Sequence, residues 1–379
     1  MSLVLNEEDM LLKDSAKGFL TGKAPVSALR KLRDDRDETG YSPELWAEMV
    51  DMGWAGIVVP EEYGGLGYGF AGAGLIMEEM GRTLTASPML STAIIGASLI
   101  AKAGSEEQKA ALLGKIADGS LITALAVDEG RYHGPRNVAM TATAKGNGFE
   151  LNGAKAFVLD GNVANQLIVA ARTSGAAGDK DGITLFAVPS DAGGVTVERT
   201  IMVDSRNAAN ISFDGVSVTG EQIIGHLDGG YGDVEYALNI GRACLAAEML
   251  GTAQESFERT LSYLKERKQF GKIIGSFQGL QHRAAHLFSE IELAKSVVLK
   301  ALRSLDEGDA MAPALASLAK AKLAEVVHLA TAEAVQMHGG IGMTDEFDMG
   351  FFIKRARVAE ATYGDYQFHV DRLARMKGY

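Results

Sequence analysis

The chain has 379 residues, of which 47% are hydrophobic and 23% are charged, and its formal net charge is -12. This length and balance are typical of a globular protein with a large core and two or three domains. The acidity argues against nucleic acid or an anionic membrane as a partner, and no apolar run reaches the roughly 18 residues that cross a bilayer. The single cysteine, Cys244, rules out a disulfide framework within the chain and predicts a reducing, cytoplasmic location. His and Cys residues show no metal-ligand spacing, so we expect no metal site.

Residues 1 to 120 are predicted to be helical. Ser42 is the predicted N-cap of one helix, because Pro43 then takes the first helical position. Ser105 is predicted to begin another helix. Between them lies the glycine-rich stretch Pro60–Gly67, which no lysine or helix start follows, so a connector is favoured over a phosphate loop.

From residue 121 to residue 225 the pattern changes to short apolar runs bounded by Gly, Asp and Asn, which is typical of strands. The runs are Leu121–Val127, Val138–Ala144, Phe149–Leu151, Phe157–Leu159, Gln166–Ala171, Ile183–Val188, Ile211–Phe213 and Val216–Val218. Gly146-Asn147-Gly148 predicts a turn between two strands, and Asp214-Gly215 predicts a second hairpin. This part of the chain is therefore predicted to be a small antiparallel β-domain.

Helical periodicity returns from residue 226 to residue 379. Two apolar stripes recur at the spacing of amphipathic helices that pack on one another. The first stripe is Leu287, Ile291, Ala294, Val298 and Leu302, and the second is Leu315, Leu318, Leu323, Val326, Ala330, Ala334 and Met337. We therefore predict an α+β chain with an N-terminal α-helical domain (1–120), a middle antiparallel β-domain (121–225) and a C-terminal four-helix-bundle domain (226–379).

The segment Arg267–Gln278 lies between two of these helical stretches and begins with Arg-Lys-Gln-Phe-Gly. Its arginine offers a fixed fork of donors that suits a pair of phosphate groups. Gln269 and Gln278 can bond hydroxyls or ring edges, Phe270 can pack on a ring system, and Gly271 lets a backbone come close. This set of groups suits a dinucleotide, although Arg and Gln after a helix also occur in ordinary surface loops.

A second segment, Gln336–Met343, places three glycines after a long helical pattern, where glycine also serves simply to end a helix. Together the two segments resemble the C-terminal domain of the acyl-CoA dehydrogenase family, and the predicted order of domains is similar to that of the family over nearly the whole chain. In that family the matching residues bind the pyrophosphate and adenosine end of FAD across a subunit interface. The resemblance thus assigns FAD binding to Arg267, Gln269, Phe270, Gln278, Gln336, Gly339 and Gly340.

The resemblance also implies a reaction, the α,β-desaturation of an acyl-CoA thioester. A carboxylate removes the α-proton, hydrogen bonds to the thioester carbonyl make that proton more acidic, and the β-hydrogen leaves as hydride to the flavin. The family further implies a tetramer and an electron-transfer flavoprotein as the partner that accepts the electrons.

The usual catalytic base does not match. In the family it is a Glu within a Tyr-Glu-Gly-Thr turn at a fixed distance after the double glycine, and counting from Gly339 places Tyr363 there. A phenol with a pKa of about 10 is a poor base at neutral pH. A subgroup carries its Glu on an earlier helix, where Gly241 stands here beside the matching Arg242. The nearest carboxylate, Asp365, is a weak surrogate, for which capping or bridging within the turn is the stronger interpretation.

The flavin-ring side differs as well. Where the family has Thr-Glu-Pro…Gly-Ser-Asp, counting places Val127 at the Thr and His133 at the Ser. The family also has a later aromatic-Ile-Thr sequence, and here Phe157 and Val158 are followed by a leucine. The resemblance therefore assigns Phe157 and Val158 to packing on the flavin ring, whereas the hydroxyl of the Thr is lost. Arg131 or His133 could bond the cofactor instead.

The adenosine half of the site is thus intact, whereas the ring half and the base are not. This resembles the small, base-lacking subunit of pimeloyl-CoA dehydrogenase-like enzymes and of sterol-side-chain α2β2 acyl-CoA dehydrogenases. The leading hypothesis is a subunit that contributes an FAD half-site to a partner bearing the Glu, in a heterotetramer. Open alternatives are a self-sufficient homotetramer that uses Asp365 or another, unrecognised base, a non-catalytic scaffold subunit without flavin, and a flavin oxidase or monooxygenase on this fold.

Overall fold

The computed structural model describes residues 3–379. Its α-helices are α1 (Glu7–Lys23), α2 (Val26–Asp34), α3 (Pro43–Asp51), α4 (Phe70–Thr83), α5 (Ala97–Ala103), α6 (Glu106–Ala117), α7 (Tyr231–Glu266), α8 (Gln278–Asp306), α9 (Ala312–His338), α10 (Met349–Ala361) and α11 (Tyr366–Met376). Its strands are β1 (Thr123–Ala126), β2 (Thr141–Lys145), β3 (Gly148–Leu159), β4 (Gln166–Arg172), β5 (Ile183–Pro189), β6 (Val195–Ile201), β7 (Asn207–Thr219), β8 (Ile223–Ile224), β9 (Lys268–Gln269) and β10 (Lys272–Ile273). Helices come first, a β-sheet follows and helices return, which confirms the predicted fold class.

The chain divides into two compact units. The first, which we call the helical unit, comprises the chain up to Lys31 together with Phe70–Thr85 and Arg242–Tyr379. The second, the sheet unit, comprises Leu32–Gly69 and Ala86–Gly241. The three predicted domain boundaries stay a prediction.

In the helical unit, the predicted apolar stripe of α8 is buried at all five positions. On α9 the stripe residues Leu323, Val326, Ala330, Ala334 and Met337 are buried as well, and Leu315 is half-buried. Leu318 is 43% exposed, so its place in the stripe is a wrong prediction. Leu323 lies five positions after Leu318, and at 3.6 residues per turn this spacing puts the two side chains on different faces. Cys244, on α7, is completely buried, as the sequence predicts.

Helices α4 and α7 approach closely at two glycines. A Cβ added to Gly81 would fall on the carbonyl oxygen of Glu248, and one added to Gly251 would fall on that of Glu78. At the same crossing, the Glu248 carboxylate accepts two hydrogen bonds of 2.8 Å from the guanidinium of Arg355, which α10 supplies. Both side chains of this ion pair are almost fully buried, with exposed fractions of 1% and 4%.

The sheet unit contains strands in the order β6-β7-β3-β2-β4-β5-β8, with β1 beside β4. Most neighbours are antiparallel, and the predicted turn at Gly146-Asn147 joins β2 to β3 with Lys145 opposite Gly148. The sheet is nevertheless mixed, because β1 runs parallel to β4 from Thr123 to Ala126.

The hairpin predicted at Asp214-Gly215 is wrong, because β7 continues through these residues from Asn207 to Thr219. Gly215 has φ +65°, and the register between β3 and β7 shifts between Leu151 and Gly153. The Gly215 amide donates to the side-chain oxygen of Asn152 at 2.9 Å. The left-handed glycine therefore makes a bulge within a strand, which needs the same backbone conformation as a tight turn.

The predicted helix starts are confirmed. The Ser42 hydroxyl accepts from the Leu45 amide at 3.1 Å, with Pro43 in the first turn of α3. Ser105 and Gln108 form a reciprocal capping box at the start of α6. Each of these caps satisfies amides that the first turn of a helix leaves without intrahelical partners.

Candidate functional site

The segment after α7 folds as a tight hairpin. Strands β9 and β10 pair with Gln269 opposite Lys272, so Phe270 and Gly271 form a two-residue loop. Both loop residues have positive φ, 54° and 73°, as a type I′ turn requires. The Arg267 amide continues the helical pattern by donating to the Tyr263 carbonyl at 2.9 Å. The hairpin therefore projects from the helix end, and the Phe270 side chain is 89% exposed.

The second predicted segment begins where α9 ends. Gly339 has φ +65° and caps the helix, and added Cβ atoms on Gly339 and Gly340 would meet no atom within 4 Å. Gln336, Gly339 and Gly340 are all exposed. The main chain at the two glycines is thus open to a ligand that lies against it.

A stack of three rings brings the two segments together within the helical unit. The His338 ring lies 4.5 Å from that of Tyr263 and 4.7 Å from that of Phe347, measured between centroids. Tyr263 is one helical turn before Arg267, and His338 immediately precedes Gly339. The His338 Nδ1 donates to the Ala334 carbonyl at 2.7 Å. Burial lowers the pKa of His338, so the ring is neutral and packs as an aromatic group.

The groups that this surface presents fit the phosphate and adenosine end of a dinucleotide. An arginine fork can bind two phosphate oxygens, the glycine backbone can approach a ribose or phosphate, and the amides can bond hydroxyls. All seven predicted residues of this half-site are exposed: Arg267, Gln269, Phe270, Gln278, Gln336, Gly339 and Gly340. They therefore face outward from the helical unit, where a ligand held by another chain can reach them.

The turn at the predicted base position joins α10 to α11. Tyr363 has φ +58° and Gly364 has φ +107°, so two successive residues adopt the left-handed half of backbone space. Asp365 is the N-cap of α11, and its carboxylate accepts from the Phe368 amide at 2.8 Å. This is the capping role that the sequence favours over a catalytic role, and the carboxylate of the surrogate base is already engaged. Gly241, at the other base position, lies within α7.

The ring-side residues belong to the sheet unit. Phe157 has φ +51° and is 59% exposed, whereas Val158 is buried and pairs with Ala209 of β7. Phe157 is therefore available for ring packing. The hydroxyl that the family places two residues after the aromatic is absent, because Leu159 stands there.

Carboxylates hold the segment that follows β1. The Asp128 carboxylate contacts the His133 Nδ1 at 2.7 Å and accepts from the Gly134 amide at 2.9 Å. Burial by itself would raise the pKa of Asp128, but the hydrogen bond from His133 and the charge of that ring lower it. His133 is thus held by Asp128 through one ring nitrogen, and its role toward a cofactor stays a prediction.

Lys155, on β3, also holds the segment that follows β1, and the sequence alone did not indicate this role. It is fully buried and donates to Glu129 at 2.6 Å and to the Val127 carbonyl at 3.1 Å. Glu129 in turn accepts from the amides of Ala139 and Met140. Burial lowers the pKa of Lys155, against the raising effect of Glu129. A lysine in an alternating strand was the available signal, but only tertiary structure shows that it points inward.

Neither membrane-spanning helices nor metal-binding clusters are predicted from the sequence. Within residues 3–379, no helix combines the length and the apolar character that a membrane span needs. In the same range, no group of three or more His, Cys, Asp or Glu side chains is arranged to hold a metal ion.

Comparison with known proteins identifies the family. Three family models match this chain. The model of the acyl-CoA dehydrogenase N-terminal domain matches residues 6–120, that of the middle domain matches residues 128–216, and that of the C-terminal domain matches residues 228–377. The chain belongs to the acyl-CoA dehydrogenase family, a family of flavin-dependent oxidoreductases. The short/branched chain specific acyl-CoA dehydrogenase of Bos taurus mitochondria is 30% identical to it, across 97% of this chain and 85% of the relative.

Solved structures agree with this assignment. Butyryl-CoA dehydrogenase from Megasphaera elsdenii has a TM-score of 0.90 at 26% identity, with 100% of both chains covered. A variant of the Tcur3481-Tcur3483 steroid ACAD has a TM-score of 0.88 at 30% identity, with 98% of both chains covered. The ChsE4-ChsE5 complex from Mycobacterium tuberculosis shares the fold, with a TM-score of 0.90 at 23% identity and with 100% of both chains covered.

The cofactor of this family is FAD, as the sequence predicts. The exposed residues late in the chain carry groups that suit its pyrophosphate and adenosine end. The sheet unit supplies an exposed aromatic, Phe157, but Val127, His133 and Leu159 stand where the family has three hydroxyl side chains. The individual residue assignments stay predictions.

Proposed function

We propose that this chain is a subunit of an acyl-CoA dehydrogenase that contributes a half-site to FAD, while a partner chain supplies the base and most of the contacts to the flavin ring. The reaction of the assembled enzyme is the α,β-desaturation of an acyl-CoA thioester. Bound FAD accepts the hydride from the β-carbon. The residues of this chain bind the phosphates and the adenosine and so fix where the partner's flavin lies.

The observation that carries the proposal is the absence of a carboxylate at both base positions. Gly241 and Tyr363 occupy them, and Asp365 caps a helix. Without a general base, the rate of such a reaction falls by about 10²- to 10⁴-fold. A chain that keeps its exposed nucleotide-binding residues and lacks the base has the properties expected of the non-catalytic member of a pair.

Two relatives support a paired arrangement. The Tcur3481-Tcur3483 steroid ACAD and the ChsE4-ChsE5 complex are each named by two components. Another similar structure, 28% identical, comes from work on the electron transferring flavoprotein of Acidaminococcus fermentans. The two-component names support a pairing of two different chains, and the heterotetramer and the transfer of electrons to an electron-transfer flavoprotein are parts of the proposal.

The visible absorption spectrum of the purified chain tests the proposal. We expect no flavin on the chain produced alone, and one FAD for every two chains after co-production with an acyl-CoA dehydrogenase that carries the Glu. One FAD per chain, bleached by an acyl-CoA, would instead identify a self-sufficient homotetramer. No flavin under either condition would leave a scaffold subunit.

Arg267→Ala tests the phosphate contact itself. We expect it to lower FAD occupancy of the assembled complex, because the guanidinium fork is the strongest phosphate donor of the half-site. Arg357→Ala is the matched control, since it removes an exposed arginine of the same charge that pairs with Glu360 on α10. Equal occupancy in the two variants would show that Arg267 does not bind the phosphates.

A further inference from the structure

A lysine lies completely buried in the middle of α9. Lys320 has an exposed fraction of 0%, which is rare for a lysine unless its ammonium is hydrogen-bonded. Its Nζ donates to three main-chain carbonyls, those of Ala359 at 2.7 Å, Glu360 at 3.0 Å and Gly364 at 3.2 Å. An ammonium has three donors, so these carbonyls use all of them.

The three carbonyls belong to one short stretch of chain. Ala359 and Glu360 are in the last turn of α10, where carbonyls have no intrahelical partners and the helix dipole is negative. Gly364 follows in the turn that leads to α11. Lys320 thus satisfies the end of one helix and, through the same atom, fixes the turn that continues from it.

A second buried cation holds the same turn from another helix. Arg242, on α7, is also completely buried, and its Nε donates to the Tyr363 carbonyl at 3.1 Å. Its guanidinium lies 5.4 Å from the ring centre of Phe368, in the first turn of α11. Lys320 and Arg242 together therefore bind four carbonyls among six successive residues.

The turn needs such support because its backbone is strained. Tyr363 is a bulky residue with φ +58°, and such a conformation persists only where the surroundings impose it. Gly364 has φ +107°, and a Cβ there would fall on the ring of Phe368. We propose that Lys320 is a positioning residue that, together with Arg242, holds the turn 359–364 so that the side chain at 363 is presented in a fixed left-handed conformation. The four hydrogen bonds from Lys320 and Arg242 are all to main-chain carbonyls, so they act on the backbone of the turn and not on the side chain at position 363.

Hydrogen exchange followed by mass spectrometry tests this proposal on the full chain. Lys320→Met keeps the length of the side chain and removes its donors. We expect exchange in the segment 359–369 to become at least about 10-fold faster, while α8 keeps its protection. Lys322→Met is the matched control: it removes the same charge from the same helix but loses only the part-exposed ion pair with Glu290, and we expect it to leave the segment unchanged. An unchanged segment in Lys320→Met, or an equal loss of protection throughout the chain, would overturn the proposal.

A measurement on the unsubstituted chain provides a test that does not depend on the variant folding. Arg242, Arg355, Glu360 and Asp365 are the charged groups that face Lys320. Burial, followed by the charge of Arg242, lowers the pKa of Lys320 from 10.5 to about 7, although Glu360 and Asp365 oppose this effect.

Opening the turn returns Lys320 to water and to its ordinary pKa, so the open form binds the additional proton. Opening must therefore become less favourable as pH rises above about 7. After correction for the intrinsic chemical rate, exchange in 359–369 should slow by about 100-fold between pH 6 and pH 9. A flat profile together with unchanged exchange of the segment in Lys320→Met would refute the positioning role.

Discussion

The buried ion pair between Glu248 and Arg355 makes a quantitative stability prediction. Arg355→Met removes both hydrogen bonds, each 2.8 Å long, and leaves the Glu248 carboxylate in surroundings where its exposed fraction is 1%. A buried charge without its partner costs about 3–5 kcal/mol. We expect the free energy of unfolding, measured by urea denaturation at neutral pH, to fall by that amount.

The double variant Arg355→Met with Glu248→Leu separates the charge from the packing. Replacing both members of a buried pair with apolar residues of similar volume is often neutral or stabilising, so the double variant should regain most of the loss. Arg375→Met is the control, because Arg375 and Asp371 form a pair with exposed fractions of 65% and 60%, and its removal should cost less than about 1 kcal/mol. If the double variant is as unstable as Arg355→Met, the loss comes from packing and not from the loss of the ion pair.

Two further predictions concern the crossing of α4 and α7 and the carboxylate of Asp128, which follows β1. Gly251→Ala should destabilise the helical unit by about 1–3 kcal/mol in urea denaturation, because the new Cβ would fall on the Glu78 carbonyl. Gly18→Ala, in an exposed part of α1 with open space around it, should instead stabilise by about 0.5–1 kcal/mol, and equal effects would contradict this reasoning. Because the pKa of Asp128 is lowered below 3.8, its stabilising effect is present above that pH and is lost as pH falls further. Asp128→Asn should therefore flatten the loss of stability as pH falls below about 4, and parallel pH profiles for the two proteins in that range would refute the role of its contact with His133.

Sequence patterns were sufficient where the determinant is local. The caps at Ser42 and Ser105 depend on residues three positions away, and both formed as predicted. The Asp214-Gly215 dipeptide also has a local signal, but that signal specifies only a positive φ. Whether the glycine then closes a hairpin or makes a bulge depends on the neighbouring strand, which lies more than sixty residues earlier in the chain.

The candidate site likewise combines features that the local sequence predicts with tertiary contacts that it does not. The motif around Phe270 and Gly271 is contiguous, and its exposure follows from a two-residue hairpin. The support beneath Tyr363 could not be predicted, because it consists of main-chain carbonyls that α10 brings to Lys320 from about forty residues away. A lysine among small residues on α9 looks like a solvated position in the sequence, and only the packed helices show that it lies inside.

The ring at the tip of the β9–β10 hairpin has a consequence for handling the protein. Phe270 presents an almost bare hydrophobic surface on a protruding arm, and Phe277 lies edge-on to it at 6.3 Å. Apolar surface left in water favours self-association. The purified chain by itself should therefore become turbid or form soluble aggregates as its concentration rises. Covering the β9–β10 hairpin should prevent this aggregation.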